Sequence, residues 1–280
     1  IRDRYNIVSE QYKEPLEAAF EEVIGFHVTV EITTRDNTPK EEVKPKDTHL
    51  LPTDQPGNIH TFDTFIEGYS NKFAYRAAMA VAKDPGGVSS QTNYNPLFIY
   101  GGTGLGKTHI LMAIANSLKV RHPAKKVLYA TCEQFTNQLI EAISRGKNNG
   151  QEFRKAFRSV DFLIIDDIQF LSGKQQTQSE FFHTFNELIM QNKQIVIASD
   201  RPPNEIEVLE DRLRTRFEGG LLADVQKPDV ETRIAILKKK AEEKKVVVDI
   251  SVLSYIAEKD GGDTVSYTHL RAHETLMNLV

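Results

Sequence analysis

Five short apolar runs punctuate the chain at 97–100, 126–131, 161–165, 194–199 and 221–225, and between them apolar residues recur every three or four positions. Runs of this kind predict strands buried on both faces. The 3.6-residue spacing predicts helices near 71–82, 107–120, 133–145, 150–157, 177–191, 209–217 and 229–244. Strands separated by helical segments predict an α/β fold, a parallel sheet covered by helices on both faces. Upstream, Leu16, Ala19, Phe20 and Val23 share one face of a predicted helix over 12–23, and Val28, Val30 and Ile32 share one face of a predicted strand over 27–32. Residues 1–32 are too short to bury a core and read as the end of a small α/β domain. Over 33–59 the pattern stops and Pro39, Pro45, Pro52 and Pro56 mix with Lys, Glu, Asp and Thr, which predicts a disordered linker.

At 280 residues the chain has room for one large α/β domain and something smaller. No stretch approaches 18 consecutive apolar residues and no leader pattern opens the sequence, so a cytoplasmic location without an integral membrane segment is expected. The single cysteine, Cys132, reads as apolar filler at a strand end. A net charge of −4 argues against a surface that coats nucleic acid, so any such contact must be local.

The run Gly101-Gly102-Thr103-Gly104-Leu105-Gly106-Lys107-Thr108 fits G-x-x-x-x-G-K-[ST] without a mismatch. Its glycines allow positive φ, so the loop from Gly102 to Thr108 can turn its N–H groups around phosphate oxygens. Lys107 is expected to reach the β/γ-phosphates and the Thr108 hydroxyl to hold Mg²⁺. The strand at 97–100 enters this loop, and a helix with Ile110, Leu111, Ile114 and Leu118 on one face leaves it. That helix aims its N-terminal dipole at the phosphates. ATP and Mg²⁺ are therefore the expected cofactors.

Farther on, Phe162-Leu163-Ile164-Ile165 delivers Asp166 and Asp167 to the strand edge where the phosphate loop also sits. Asp166 suits the Mg²⁺ shell, through water. Asp167 is placed to orient or deprotonate the attacking water; it is shorter than the Glu of many P-loop proteins, which predicts slow hydrolysis. The strand at 194–199 ends in Ser199 and Asp200. Asp200 can face the γ-phosphate or cap the following turn. In 209–217, Leu209, Leu213 and Phe217 form a buried stripe, with Arg212 and Arg216 four apart on another face. Such arginines either stay solvated or reach an anion on another subunit.

With these stretches in this order, the chain resembles an AAA+ ATPase. More narrowly it is similar to the bacterial DnaA replication-initiator family, on Thr61–Phe65, Asn95–Gly102, Ile165–Phe170, Glu180–Asn186 and Ser199–Pro203. The resemblance implies an ATP-controlled homo-oligomer on origin DNA, in which hydrolysis switches off strand opening. Arg216 would act as a finger in trans with Arg212 beside it. Phe62–Asn71 would close over the adenine, and Lys174 with the helices between the phosphate loop and Asp166 would line a single-stranded DNA channel. It also implies replicative helicase or loader proteins and acidic phospholipids as partners. By itself Lys174 reads as a solvated loop lysine, and Phe181, Phe182 and Phe185 read as core.

On the family pattern, 1–32 would be the end of the N-terminal interaction domain, 60–226 the nucleotide-binding domain and 227–263 the start of a helical lid. Val265–Thr275 matches nothing in the family, and its reverse translation resembles a transposase-type sequencing adapter. The expectation is that 264–280 is non-native and that this chain lacks the duplex-reading domain. His269 and His273 are not taken as metal ligands, since no third ligand is evident. Two other readings stay open: a related helicase loader or transposition helper ATPase, and a nucleotide-gated scaffold without significant turnover.

Overall fold

The computed structural model describes residues 60–87, 94–145 and 147–259. The expectations for 1–32, 33–59 and 264–280 lie outside the described residues. Five strands, β1 (Leu97–Tyr100), β2 (Val127–Thr131), β3 (Phe162–Asp166), β4 (Gln194–Ser199) and β5 (Leu221–Asp224), form one sheet. Its order is β2-β3-β4-β1-β5 and every pairing is parallel. The helices are α1 (Lys72–Lys83), α2 (Lys107–Arg121), α3 (Cys132–Ser144), α4 (Lys147–Arg158), α5 (Gln175–Met190), α6 (Asp211–Glu218), α7 (Val230–Glu243) and α8 (Ile250–Lys259). Predicted and observed ends agree to within a few residues. The widest gap is α4, which starts three residues before the expected position, at 147 rather than 150; it carries Gly150 in its first turn, where a helix tolerates a poor former.

Strand alternation assigns the core. Phe98, Leu163, Ile165, Ile195 and Ile197 point to one face, where they meet Phe135 and Leu139 of α3, Phe157 of α4, Phe181 and Phe185 of α5 and Phe217 of α6. Leu97, Ile99, Ile164, Val196 and Ala198 point to the other, against Ala74 and Ala78 of α1 and Ile110, Leu111 and Ile114 of α2. The first face is aromatic, with Phe135 edge-on to Phe157 and Phe181 at centroid distances of 4.8 and 5.4 Å. The second is mostly aliphatic, with alanines from α1 and Ile110, Leu111 and Ile114 from α2. Losing one of these buried rings would cost about 3–5 kcal/mol. A third cluster joins α7 to α8 through Leu237, Leu253 and Ala257.

The register brings the chemistry to one edge. Tyr100 of β1 pairs with Ser199 of β4 and Asp224 of β5, and Thr131 of β2 with Asp166 of β3. All five strands therefore end at the level of the loop that follows β1, the edge at which parallel sheets hold ligands.

Candidate nucleotide site

The phosphate loop is held by backbone on both sides. Gly101 N donates to Ser199 O at 3.3 Å and Val225 N to Tyr100 O at 2.7 Å. A Cβ on Gly101 would lie 2.2 Å from Val225 O, so only glycine fits between these strands. Gly106 begins α2 from the left-handed region at φ +94, where a side chain is strained and would press on the Phe65 ring. Lys107 is 7% exposed, and its Nζ donates to Gly102 O at 2.8 Å. Burial lowers its pKa, while Asp166, Asp167 and Asp200 oppose that shift.

Asp166 ends β3 and is 2% exposed. Its Oδ2 accepts from Thr108 Oγ1 at 2.7 Å and from Tyr129 Oη at 3.1 Å, and its Oδ1 accepts from Asp167 N at 2.9 Å. Burial pushes the Asp166 carboxyl up from the ordinary range, against the Thr108 hydrogen bond. A hydroxyl and a carboxylate at this spacing make an all-oxygen donor set, which fits a hard Mg²⁺ ion that takes its other ligands from water and phosphate. Tyr129, on β2, escaped the sequence reading because no local spacing links a strand residue to a partner on the neighbouring strand.

Asp167 turns the chain in the left-handed region, φ 56 and ψ 47, and opens a short turn over Ile168–Leu171. The sequence places Asp200 before the γ-phosphate or as a cap. In the structure it lines the same cavity, but its carboxylate is gripped by Arg201 through two bonds of 2.9 Å. That grip is the first cause of its lowered pKa, with burial opposing.

The cavity encloses about 670 Å³. The phosphate loop and Thr108 form its floor, Thr64, Phe65, Ile66 and Asn71 one wall, and Ile236, Lys240 and Glu243 of α7 another. His109 fastens the first wall to α2. Its Nε2 donates to Thr61 O at 3.0 Å and lies 3.2 Å from Thr64 Oγ1. Its ring packs against His60 and Phe65 at 4.7 and 5.1 Å. Burial drives the His109 pKa down to about 4, although the Thr61 bond works the other way. The imidazole is therefore neutral at pH 7.

The arginines lie outside this cavity. On α6, Leu213 and Phe217 are fully buried and Leu209 is 5% exposed, as the stripe predicts. Arg212 and Arg216 are both exposed but differ in their contacts. Arg212 pairs with Glu210 at 2.5 Å and sits 4.3 Å over the Phe182 ring. Arg216 makes no ion pair among the described residues. The segment before α6 is fastened by Gln178 of α5, which is 1% exposed. It donates to Leu171 O and Val208 O and accepts from Glu210 N, at 2.8–2.9 Å. A Gln inside an apolar stripe gave no sign of this in the sequence. Lys174, the cap residue of α5, is exposed and away from the cavity. Phe181 and Phe185 are core, and Cys132 is 1% exposed with its thiol pushed up to about 12 by burial.

The family model for the bacterial DnaA ATPase domain matches residues 57–224. The chain belongs to this DnaA family. Domain III of the Thermotoga maritima replication initiation protein DnaA is 46% identical, with a TM-score of 0.70 over 75% of this chain and 85% of that one. A replication initiator DnaA bound to AMPPCP and single-stranded DNA is 36% identical, with a TM-score of 0.71 over 80% of this chain and 69% of that one. AMPPCP-bound DnaA from Aquifex aeolicus is 38% identical, with a TM-score of 0.69 over 81% and 67%. The chain is thus an AAA+ ATPase domain of the DnaA replication-initiator family. No helix among the described residues is long and apolar enough to cross a membrane.

Proposed function

We propose that this chain binds ATP with Mg²⁺ between the phosphate loop and Asp166 and uses that nucleotide to control assembly of a replication initiator at its origin. The observation that carries the reading is the 2.7 Å bond from Thr108, which lines the cavity, to Asp166 at the end of β3. Two DnaA structures bound to AMPPCP, an ATP analogue, support the choice of nucleotide. Lys107 would neutralise the β- and γ-phosphates, and the loop N–H groups from Gly102 to Thr108 would cradle them. Mg²⁺ held by Thr108 and, through water, by Asp166 would offset charge that builds on the transferring phosphoryl group. Asp167 would accept a proton from the attacking water as its oxygen bonds to the γ-phosphorus and ADP leaves. Asp200 would meet the γ-phosphate only by sharing its grip on Arg201.

In this reading 60–226 forms the nucleotide-binding body and 227–263 begins a lid. Phe62–Asn71 covers the adenine, with His109 holding the segment in place. Arg216 completes the site of a neighbouring copy, with Arg212 as its support; in favour of this reading, its cation has no ion pair among the described residues. Lys174 contacts a single strand beside α3 and α4, as the single-stranded DNA complex of a relative encourages. Origin DNA, helicase or loader proteins and acidic phospholipids are the partners to seek. ATP turnover per protomer, measured against protein concentration, tests the site in trans. A rate that climbs with concentration supports it; a rate independent of concentration overturns it.

A further inference from the structure

The turn after Asp167 carries a side chain that the proposed mechanism does not use. Gln169 stands between Ile168 and Leu171 in distance along the turn, and both of those are fully buried, so the turn is anchored from below. Its own amide faces the nucleotide cavity. Gln169 Nε2 donates to Asp167 Oδ1 at 3.1 Å, and Gln169 Oε1 accepts from Asp200 N at 3.3 Å. One side chain therefore spans the ends of β3 and β4. It links the residue read as the base to Asp200, which lines the same cavity.

The polarity of this bridge is set by its partners. An ionised carboxylate only accepts, and a backbone N–H only donates. Between them, only a group with a donor at one end and an acceptor at the other satisfies both. An amide does this without charge. A carboxylate here would keep the bond from Asp200 N but set a second negative group against Asp167. The bond also distinguishes the two oxygens of Asp167. Gln169 occupies Oδ1, while Oδ2 makes no hydrogen bond among the described residues. The backbone of Asp167 is in the left-handed region, a conformation that persists only where neighbours hold it. The turn bond from Phe170 N to Asp167 O, 3.1 Å, holds the backbone; Gln169 holds the side chain.

We infer that Gln169 is a positioning residue that fixes the Asp167 carboxylate for water activation and ties its placement to the end of β4 at Asp200. The inference rests on the reading of Asp167 as the base. A shift of Asp200 and Arg201 when a neighbouring copy docks would then be passed to Asp167 through a single amide.

The test compares the wild-type chain with Gln169→Ala, Gln169→Glu, Asp167→Asn and the Gln169→Ala/Asp167→Asn double variant. Three quantities are read: ATP turnover at saturating protein and nucleotide, affinity for a fluorescent ATP analogue, and hydrogen–deuterium exchange of the Asp200 amide. Gln169→Ala should lower kcat about tenfold, a part of what a general base contributes, while analogue affinity stays within about twofold. The Asp200 amide should exchange faster in Gln169→Ala and stay protected in Gln169→Glu, which keeps the acceptor. Gln169→Glu should nonetheless lose turnover, and the double variant should be no slower than Asp167→Asn. Unchanged exchange at Asp200 in Gln169→Ala overturns the bridge. Wild-type turnover in Gln169→Ala with a slow Asp167→Asn overturns the positioning role and leaves the base in place. Parallel losses of affinity and kcat in both Gln169 variants make the role structural and overturn it too. If Asp167→Asn turns over ATP like the wild type, the base reading fails, and the inference fails with it.

Discussion

At the phosphate end of the site, Lys107 and Asp166 are 7% and 2% exposed, and each polar group already has a partner on its own chain. At the arginine edge, α6 is anchored just as firmly by Leu213 and Phe217, yet its Arg216 is exposed and without an ion pair among the described residues. The two regions share a sheet and a core but differ in where their electrostatics close. At the phosphate end the hydrogen-bonding groups are met internally, Lys107 by Gly102 O and Asp166 by Thr108, Tyr129 and Asp167 N. The arginine edge presents a cation with no ion pair among the described residues, which the proposed function assigns to a second copy. Arg212 shows the contrast within one helix, because Glu210 and the Phe182 face satisfy it at home. Stable local packing thus says little about whether a site is complete.

The comparison breaks most sharply at Arg216. Arg216→Ala should lower turnover of the assembled protein on the order of 10³-fold, the scale of an arginine finger. Its affinity for nucleotide as a dilute chain should stay unchanged, as calorimetric titration would show. An equal loss in both measurements would erase the distinction between the two regions. Lys107→Ala should act in the opposite sense. It should weaken ATP binding about 100-fold in the dilute chain, from loss of a charge-assisted contact to phosphate, measured by the same titration.

His109 sharpens the comparison through pH. Its folded pKa of about 4 lies below the ordinary 6.5, so the unfolded chain takes up the proton more readily. This contribution to stability is complete above pH 6.5 and is lost as pH falls from 6.5 towards 4. Denaturant unfolding should therefore register a loss of about 2–3 kcal/mol across that window. His109→Gln should flatten the profile over the same range, because the amide keeps a donor but does not titrate. The smallest effect belongs to Arg212→Ala, at about 1 kcal/mol or less in stability, since an exposed pair and a surface cation–π contact are weak. A larger loss in assembly than in stability would move Arg212 to the same side of the comparison as Arg216.

Much of the architecture was legible along the chain. Buried parallel strands announce themselves as apolar runs, and helices such as α2 and α5 by their spacing, because both signals are local. The loop from Gly101 to Thr108 was equally plain, since its glycines and Lys107 are adjacent in sequence. Asp166 followed from its place at the end of a strand. The partners of these groups were not legible. Tyr129 reaches Asp166 only because β2 lies beside β3. His109 reaches Thr61 across 48 positions, and Arg201 takes hold of Asp200, which the sequence places at the γ-phosphate or as a cap of the following turn.

The amino-acid sequence by itself determined the elements, the phosphate loop and the two acids at the end of β3, because each depends on neighbours a few residues away. The tertiary structure alone decided which groups are already satisfied and which are not. It set Gln169 between Asp167 and Asp200, His109 against Thr61, and Arg212 but not Arg216 in an ion pair. The links from Gln169 to Asp200 and from His109 to Thr61 turn on hydrogen-bond reach between segments 31 and 48 positions apart, a distance that no local pattern encodes, whereas the choice of Glu210 by Arg212 is a side-chain conformation that spacing alone leaves open.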